Sequence, residues 1–370
     1  MDLRVFTFAS INIDEVYSVP HIVRPGETIS STKRQQNAGG KGANASVAAV
    51  RAGANVHIAG LIGQDGLWVR EILSQTGANI EQVRIADDSS TGRAIIQVDT
   101  DGENAIFLFP GANHKLTKAD AQRAFAHCTK GDWLLLTNET TAVAETIAHA
   151  HSLGMQILWN PAPVDPQMMD AKEVVDVVDV LVLNETELQG LAKQLTGVGS
   201  EDGGTNDHRE LAYQIMSQVR LRAIVVTLGS AGSFGIVRRP KVNTHSILIS
   251  KEPLHSNDAS SQPPPAGSSS REGDDLVELN IPCAPVPKKI IKDTTGAGDT
   301  WVGYFVAELA RTQSESPESI GSLAALTPAM VTQAMEMATY ASGIAVTEMG
   351  AIPSIPERQR VEAFIKTQEL

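Results

Sequence analysis

The stretch "DTTGAGDT", residues 293–300, is where the reading of this chain begins. Two glycines and an alanine stand between two aspartates, and Trp301, Tyr304, Phe305 and Leu309 follow at helical spacing. That spacing predicts a helix over 297–311 whose first N–H groups have no acceptor one turn back. Small residues let an anion close on those donors, and the helix dipole favours it. Asp299 would repel a phosphate if binding were its only task. As a base it would take the proton of an attacking hydroxyl. A Gly-rich turn with an aspartate capping the helix is the other reading of this stretch alone.

Three further stretches have the same character. In "AGGKGANASVAAVRAGA" (38–54), Gly39 and Gly40 allow close backbone approach to a ligand, and Lys41 and Asn44 can donate to hydroxyl or phosphate oxygens. The order G-x-x-x-x-G-K-[ST] is absent, so this is not a Walker A loop. In "VLVLNETELQGL" (180–191), Asn184 ends an apolar strand and opens a helix with Glu185 and Glu187 in its first turn. Either the acids match the helix dipole, or Asn184 and Glu187 reach a phosphate–magnesium region. "TLGSAGSFG" (227–235) is a strand end followed by a Gly-rich turn, which alone reads as a hairpin.

Around these motifs, apolar β-branched runs alternate with amphipathic patterns. Strands are predicted at 4–11, 55–63, 132–137, 155–160, 180–184 and 223–229. Helices are predicted at 42–52, 65–77, 117–127, 141–153, 185–195, 208–220, 297–311 and 328–347. This rhythm is that of an α/β fold, a mostly parallel sheet flanked by helices, whose ligand site lies beyond the carboxyl ends of the strands. Residues 15–36 and 91–110 look extended, with Asp101-Gly102 as a turn signal, and predict a small β lid. The composition of 255–275 predicts a disordered insertion, and 199–208 is a shorter one of the same kind.

The bulk numbers bound the function. A chain of 370 residues, 42% hydrophobic, can build one large α/β domain. The net charge of −13 argues against a nucleic-acid backbone as partner. It leaves room for an anion held by a local nest of N–H groups. Cys128 and Cys283 form no metal-like cluster, which fits a reducing cytoplasm. The first residues read as a β-strand rather than a signal peptide, and no stretch approaches the ~18 apolar residues of a membrane span.

Taken in this order, the motifs resemble the ribokinase-like (PfkB) carbohydrate kinase family. "GGKGAN" and "DTTGAGDT" match its two signature regions, and the likeness runs along nearly the whole chain outside the two insertions. It is closest to the ribose-phosphorylating members, through "SINIDE" (10–15), "RPGETI" (24–29), 91–106, "PGANHKLT" (110–117), "WNPAP" (159–163) and 344–356. The resemblance implies ATP-dependent phosphorylation of D-ribose at its 5-hydroxyl, with Mg2+ on the nucleotide and K+ as a monovalent activator. It implies sugar contacts from Asn12, Asp14, Gly39, Gly40, Lys41, Asn44 and Glu139. It implies nucleotide contacts from Asn184, Glu187, Thr227, Leu228, Gly229, Ser230, Ala231, Gly232, Gly298 and Thr339. Gly296, Ala297 and Gly298 become the anion hole and Asp299 the base. Asp293, Thr295, Ala345, Glu348, Gly350 and Ser354 become the cation site. A homodimer through the β lid is also implied.

The sequence departs from the family at three places. Thr339 stands where relatives often have His or Asn, Glu139 sits in an unfamiliar "TNET", and the 255–275 segment is long. Rival readings are a family kinase for deoxyribose, fructose or a sugar phosphate, and a sensor that binds sugar without catalysis. A sugar-phosphate kinase needs extra cations under the lid, for which Arg93 is the candidate. A sensor would be marked by loss of the base, yet Asp299 is present.

Overall fold

The computed structural model describes residues 3–164, 171–196, 207–240, 275–315 and 326–367. The 255–275 insertion, apart from Asp275, and residues 199–206 lie outside these.

The chain opens with β1 (Arg4–Phe8), β2 (Asn12–Ser18), β3 (Lys33–Gly39), α1 (Lys41–Arg51), β4 (Asn55–Gly63), α2 (Leu67–Gln75), β5 (Asn79–Ala86), β6 (Gly92–Val98) and β7 (Asn104–Phe109). It continues through α3 (Lys118–Ala124), β8 (Trp133–Thr137), α4 (Val143–Ser152), β9 (Gln156–Asn160), α5 (Ala171–Val175), β10 (Val180–Asn184), α6 (Glu185–Thr196) and α7 (His208–Gln218). It closes with β11 (Ala223–Thr227), β12 (Ser233–Arg238), β13 (Leu276–Ile281), α8 (Ala297–Glu315), α9 (Pro328–Ala345), α10 (Ala351–Ser354) and α11 (Arg358–Lys366).

The main sheet has the order β13-β12-β11-β10-β9-β8-β1-β4-β5. From β11 to β5 the pairs are parallel, and β12 and β13 finish the edge antiparallel. Both faces of the sheet are covered, so its central strands are largely apolar. In β10, Val180 and Val182 pack toward α1, α8 and α9, while Leu181 and Leu183 pack toward α4, α6 and α7. The lid is a second sheet of order β3-β2-β6-β7.

The structure corrects the sequence reading at several boundaries. The strand expected at 4–11 stops at Phe8, and the chain leaves the main sheet there to start the lid at Asn12. Asn12 and Asp14 are therefore lid residues rather than main-sheet strand ends. β5 and the β12–β13 hairpin were not foreseen as strands, nor α11 as a helix. β5 is an edge strand with mixed polarity, "NIEQVRIA", which lacks the apolar run that marks the central strands.

α1 and α8 cross at Gly303. A Cβ there would sit 2.2 Å from the Ala45 carbonyl oxygen and 2.5 Å from the Ala48 Cβ. This close crossing sets the N-termini of the two helices side by side. At Gly298, by contrast, a Cβ would meet nothing within 4 Å. Gly303→Ala is thus expected to cost about 1–3 kcal/mol in urea unfolding. Gly298→Ala should leave the urea midpoint unchanged or slightly higher, because alanine favours the helix. Equal effects of the two substitutions would contradict this account of the crossing.

Candidate active site

The register of the main sheet brings its carboxyl ends into a row. Thr137 pairs with Asn160 and Asn184 with Thr227. Beyond that row lie the first turns of α1, α6 and α8 and the base of the lid.

At α1 the backbone turns sharply. Gly40 has φ +95°, and a Cβ there would meet the Ser10 carbonyl at 2.7 Å. The first N–H groups of the helix are taken by side chains and loop carbonyls. Lys41 N–H donates to Glu139 Oε2 (3.0 Å), Gly42 N–H to Ser10 Oγ (3.0 Å) and Ala43 N–H to the Ser10 carbonyl (3.0 Å). Glu139 thereby joins the loop after β8 to α1.

One turn into α1, Asn44 donates from Nδ2 to Asp299 Oδ2 at 2.8 Å. The carboxylate accepts only, so the amide nitrogen must face it. Asn44 Oδ1 is buried and has no partner among the described residues. A buried acceptor of this kind calls for a ligand hydroxyl. On the lid side, Asn113 Nδ2 donates to Asn12 Oδ1 (2.8 Å), while Asn113 Oδ1 accepts the Ile11 N–H (2.9 Å).

Charge accumulates here. Lys41 carries a raised pKa, caused first by Asp299 and also by Glu139, Glu187 and Asp14, with burial opposing. Asp14 is pushed up to about 7 by burial, with Glu139 and Asp299 adding to the shift and Lys41 offsetting it. Burial also raises Glu139 and Glu187, against the pull of Lys41 on each. One ammonium thus sits among four carboxylates drawn from the lid, a loop and two helix starts. Asn184 and Glu187 cap each other: Asn184 N–H donates to Glu187 Oε2 (2.9 Å) and Glu187 N–H to Asn184 Oδ1 (2.8 Å).

At the start of α8, the Ala297 N–H donates to the Thr294 carbonyl at 3.2 Å and the Thr300 N–H to the Gly296 carbonyl at 2.8 Å. The N–H groups of Gly298 and Asp299 between them have no backbone acceptor among the described residues, and nothing stands within 4 Å of a Cβ built on Gly298.

Beside this turn, Asp293 joins two loops. Its Oδ1 accepts the Thr295 N–H (2.9 Å) and its Oδ2 the Gly350 N–H (2.8 Å). Burial would raise its pKa, but these N–H groups outweigh it and hold the carboxyl below its ordinary value. Ser354 is buried and donates to the Ala351 carbonyl, Ala345 is buried, and the Glu348 side chain points out to Arg360. Arg51, at the far end of α1, donates to the carbonyls of Ile352 (2.7 Å) and Ile355 (2.6 Å). An ionised aspartate among carbonyls and hydroxyls suits a monovalent cation. Among the described residues, no group of three or more His, Cys, Asp or Glu is placed to hold a metal.

Nine of the sequence-predicted residues therefore meet in one place: Asn12, Asp14, Gly39, Gly40, Lys41, Asn44, Glu139, Glu187 and Asp299. The turn from Thr227 to Gly232 lies along the same sheet edge, next to Asn184. Thr339 does not join them. It is 7% exposed on α9, and its hydroxyl accepts the Trp301 indole N–H at 3.2 Å. Arg93 is tied to Glu15 and Asp65, on the face of the lid opposite Asp14. Ser10, Asn113 and Arg51 were missed. Their motifs were quoted, but a buried serine, an asparagine in a turn and an arginine at a helix end carry no chemical signal of their own.

Residues 2–251 and 275–358 match the pfkB family carbohydrate kinase profile. The chain belongs to this family. Its curated relatives include a ribokinase of Haemophilus influenzae, 29% identical, with 96% of each chain covered. A solved structure of ribokinase from Cryptococcus neoformans var. grubii serotype A, in complex with ADP, is 30% identical with a TM-score of 0.69, over 98% of this chain and 99% of that one. The fold is also that of Arabidopsis thaliana ribokinase, with a TM-score of 0.72 at 22% identity over 99% of both chains. The α/β sheet with its β lid is thus the ribokinase-like architecture that the motifs implied.

The Asp14 shift gives a test. Its pKa rises from 3.8 in the unfolded chain to about 7 in the folded protein. Between those values the folded protein keeps a proton that the unfolded chain has released, so stability falls as pH rises through the window and stays reduced above it. Asp14→Asn removes that cost. Its melting temperature should exceed the parent's by more at pH 8 than at pH 5, while carbohydrate affinity drops. A gain that is the same at both pH values would show that Asp14 is not held in this way.

Proposed function

We propose that this enzyme phosphorylates D-ribose at its 5-hydroxyl, with ATP as donor. The observation that carries the reading is the Asn44–Asp299 pair at the joined starts of α1 and α8, which sets an accepting carboxylate beside the N–H groups of Gly298 and Asp299 that have no backbone acceptor among the described residues. Support comes from the ribokinases that share about 30% of its residues over their whole length.

The chemistry follows from the residues. Lys41, Asn44, Asp14, Asn12 and Glu139 hold the sugar by its hydroxyls, with Asn44 Oδ1 as a buried acceptor. Asp299 accepts the proton of the 5-hydroxyl as that oxygen attacks the terminal phosphorus and the bond to ADP breaks. The N–H groups of Gly298 and Asp299, which have no backbone acceptor among the described residues, would face the charge that builds on the transferring phosphoryl group. Asn184 and the 227–232 turn hold the nucleotide. Mg2+ brought with the nucleotide would neutralise its phosphates, and the Glu187 carboxylate would help hold its waters. A cation such as K+ at Asp293, Thr295, Ala345, Glu348, Gly350 and Ser354 would stiffen the loops flanking the anion hole. The lid over the sugar excludes water, the competing acceptor.

Among rival kinases, one acting on a sugar phosphate is disfavoured, because Arg93 is bound by two carboxylates away from the sugar face. A sensor without catalysis is disfavoured by Asp299 and its intact setting. The edge strand of the lid carries Ile106, Phe107, Leu108 and Phe109, each roughly half exposed. A second copy covering that strand would account for them. The two free cysteines suit a reducing cytoplasm.

ADP release across pentoses, hexoses, sugar phosphates and nucleosides tests the substrate, with ribose expected to give the highest kcat/KM. Asp299→Asn keeps a hydrogen-bond acceptor toward Asn44 but loses the base. Its kcat should fall by roughly 10²–10⁴ with little change in melting temperature. A variant that retains more than a tenth of the rate removes Asp299 from the mechanism. Potassium should raise the rate over a buffer free of both sodium and potassium, and should raise the melting temperature as well. Equal rates and equal melting would sink the cation site. Glu348→Gln should matter little, because its side chain is turned to Arg360 and only its carbonyl is proposed as a ligand.

A further inference from the structure

Ser10 is wholly buried in the connection between β1 and β2. Its hydroxyl accepts the Gly42 N–H at 3.0 Å and donates to Glu139 Oε2 at 2.8 Å. A carboxylate only accepts, so the Ser10 hydroxyl gives its one proton to Glu139 while its oxygen takes the Gly42 N–H. The same Oε2 takes the Lys41 N–H at 3.0 Å. Two donors thus hold one carboxylate oxygen, and Oε1 takes neither bond. Both donors stand at the N-terminus of α1, beside Lys41 and Asn44.

We propose that Ser10 is a positioning residue for the sugar: it clamps Oε2 of Glu139 so that Oε1 is aimed at a substrate hydroxyl. The inference rests on the reading of this site as a sugar pocket. Without the Ser10 bond, Glu139 keeps a single backbone donor and can swing about its own torsions, which costs sugar affinity. Asp299, Gly298 and the nucleotide turn are untouched, so the chemical step and ATP binding are preserved. Burial pushes the Glu139 carboxyl up, and Lys41 and the Ser10 hydroxyl pull it back, so the same bond also helps keep an acceptor there.

The test is steady-state kinetics on the full chain, with sugar KM, ATP KM, kcat and melting temperature measured together. Ser10→Ala should raise the sugar KM about tenfold, with kcat within about threefold and ATP KM unchanged. Ser10→Cys keeps the volume with a weak donor, and should show the same KM effect if the alanine variant folds poorly. In a Glu139→Gln background, Ser10→Ala should add less than about twofold, because the clamped group is already altered. An unchanged sugar KM in both Ser10 variants overturns the proposal. So does a full tenfold effect in the Glu139→Gln background, or a loss confined to kcat and melting temperature. A parent enzyme that acts on no sugar in the panel overturns the functional reading and this inference together. A parent active on ribose beside unaffected Ser10 variants overturns this inference alone.

Discussion

The closeness of α1 and α8 at Gly303 is the constraint on which the site depends. Only a residue without a Cβ lets the Ala45 carbonyl approach this near. The two helices then run side by side, and the Asn44 amide reaches the Asp299 carboxylate at 2.8 Å. The groups proposed to bind hydroxyls sit at the start of one helix, and the proposed base and anion-binding N–H groups at the start of the other. Their separation is set by backbone packing rather than by long side chains, which is how a reacting oxygen and a phosphoryl group can be held in line.

The electrostatics of the site follow from this crowding. Four carboxylates share Lys41, and burial, with Glu139 and Asp299 adding to it, drives Asp14 up to about 7. Such a cluster opposes stability at neutral pH and is held in place by the rest of the fold. Two large apolar layers pack on the sheet, and the C-terminal segment is pinned by Arg51 and by Arg358, which bonds the buried Glu308 and the Ala52 carbonyl. The same pinned segment carries the Asp293–Gly350 bond, so the end of α1 and the loop beside the anion hole are mechanically joined.

The lid shows how a strand can serve two layers. β1 belongs to the main sheet, and three residues later β2 belongs to the lid. Ser10 and Ile11 lie in that passage, their backbone groups bonded to Ala43 and Asn113. Asn12 and Asp14 face the site because alternate residues of β2 do, while Glu15 and Arg93 share the other face. A one-residue slip in this register would exchange Asp14 for Glu15, the carboxylate bound to Arg93.

By itself the sequence determined the alternation of strands and helices, the two Gly-rich turns and the aspartate that opens α8. These features are local: apolar periodicity, a turn that needs glycine and a helix start are each written within a few residues. Their order along the chain was enough for the family. The sequence left undecided which buried polar residues would hold the site together. Ser10, Asn113 and Arg51 act on partners about 30, 100 and 300 positions away, and no local pattern encodes such a pairing. It also left Arg93 looking like a free cation and Thr339 like a nucleotide contact. Only the tertiary structure gave the first its two carboxylates and buried the second against Trp301. A side chain's type is fixed by the sequence, but its partner is fixed by which surfaces the packed sheet and helices bring together.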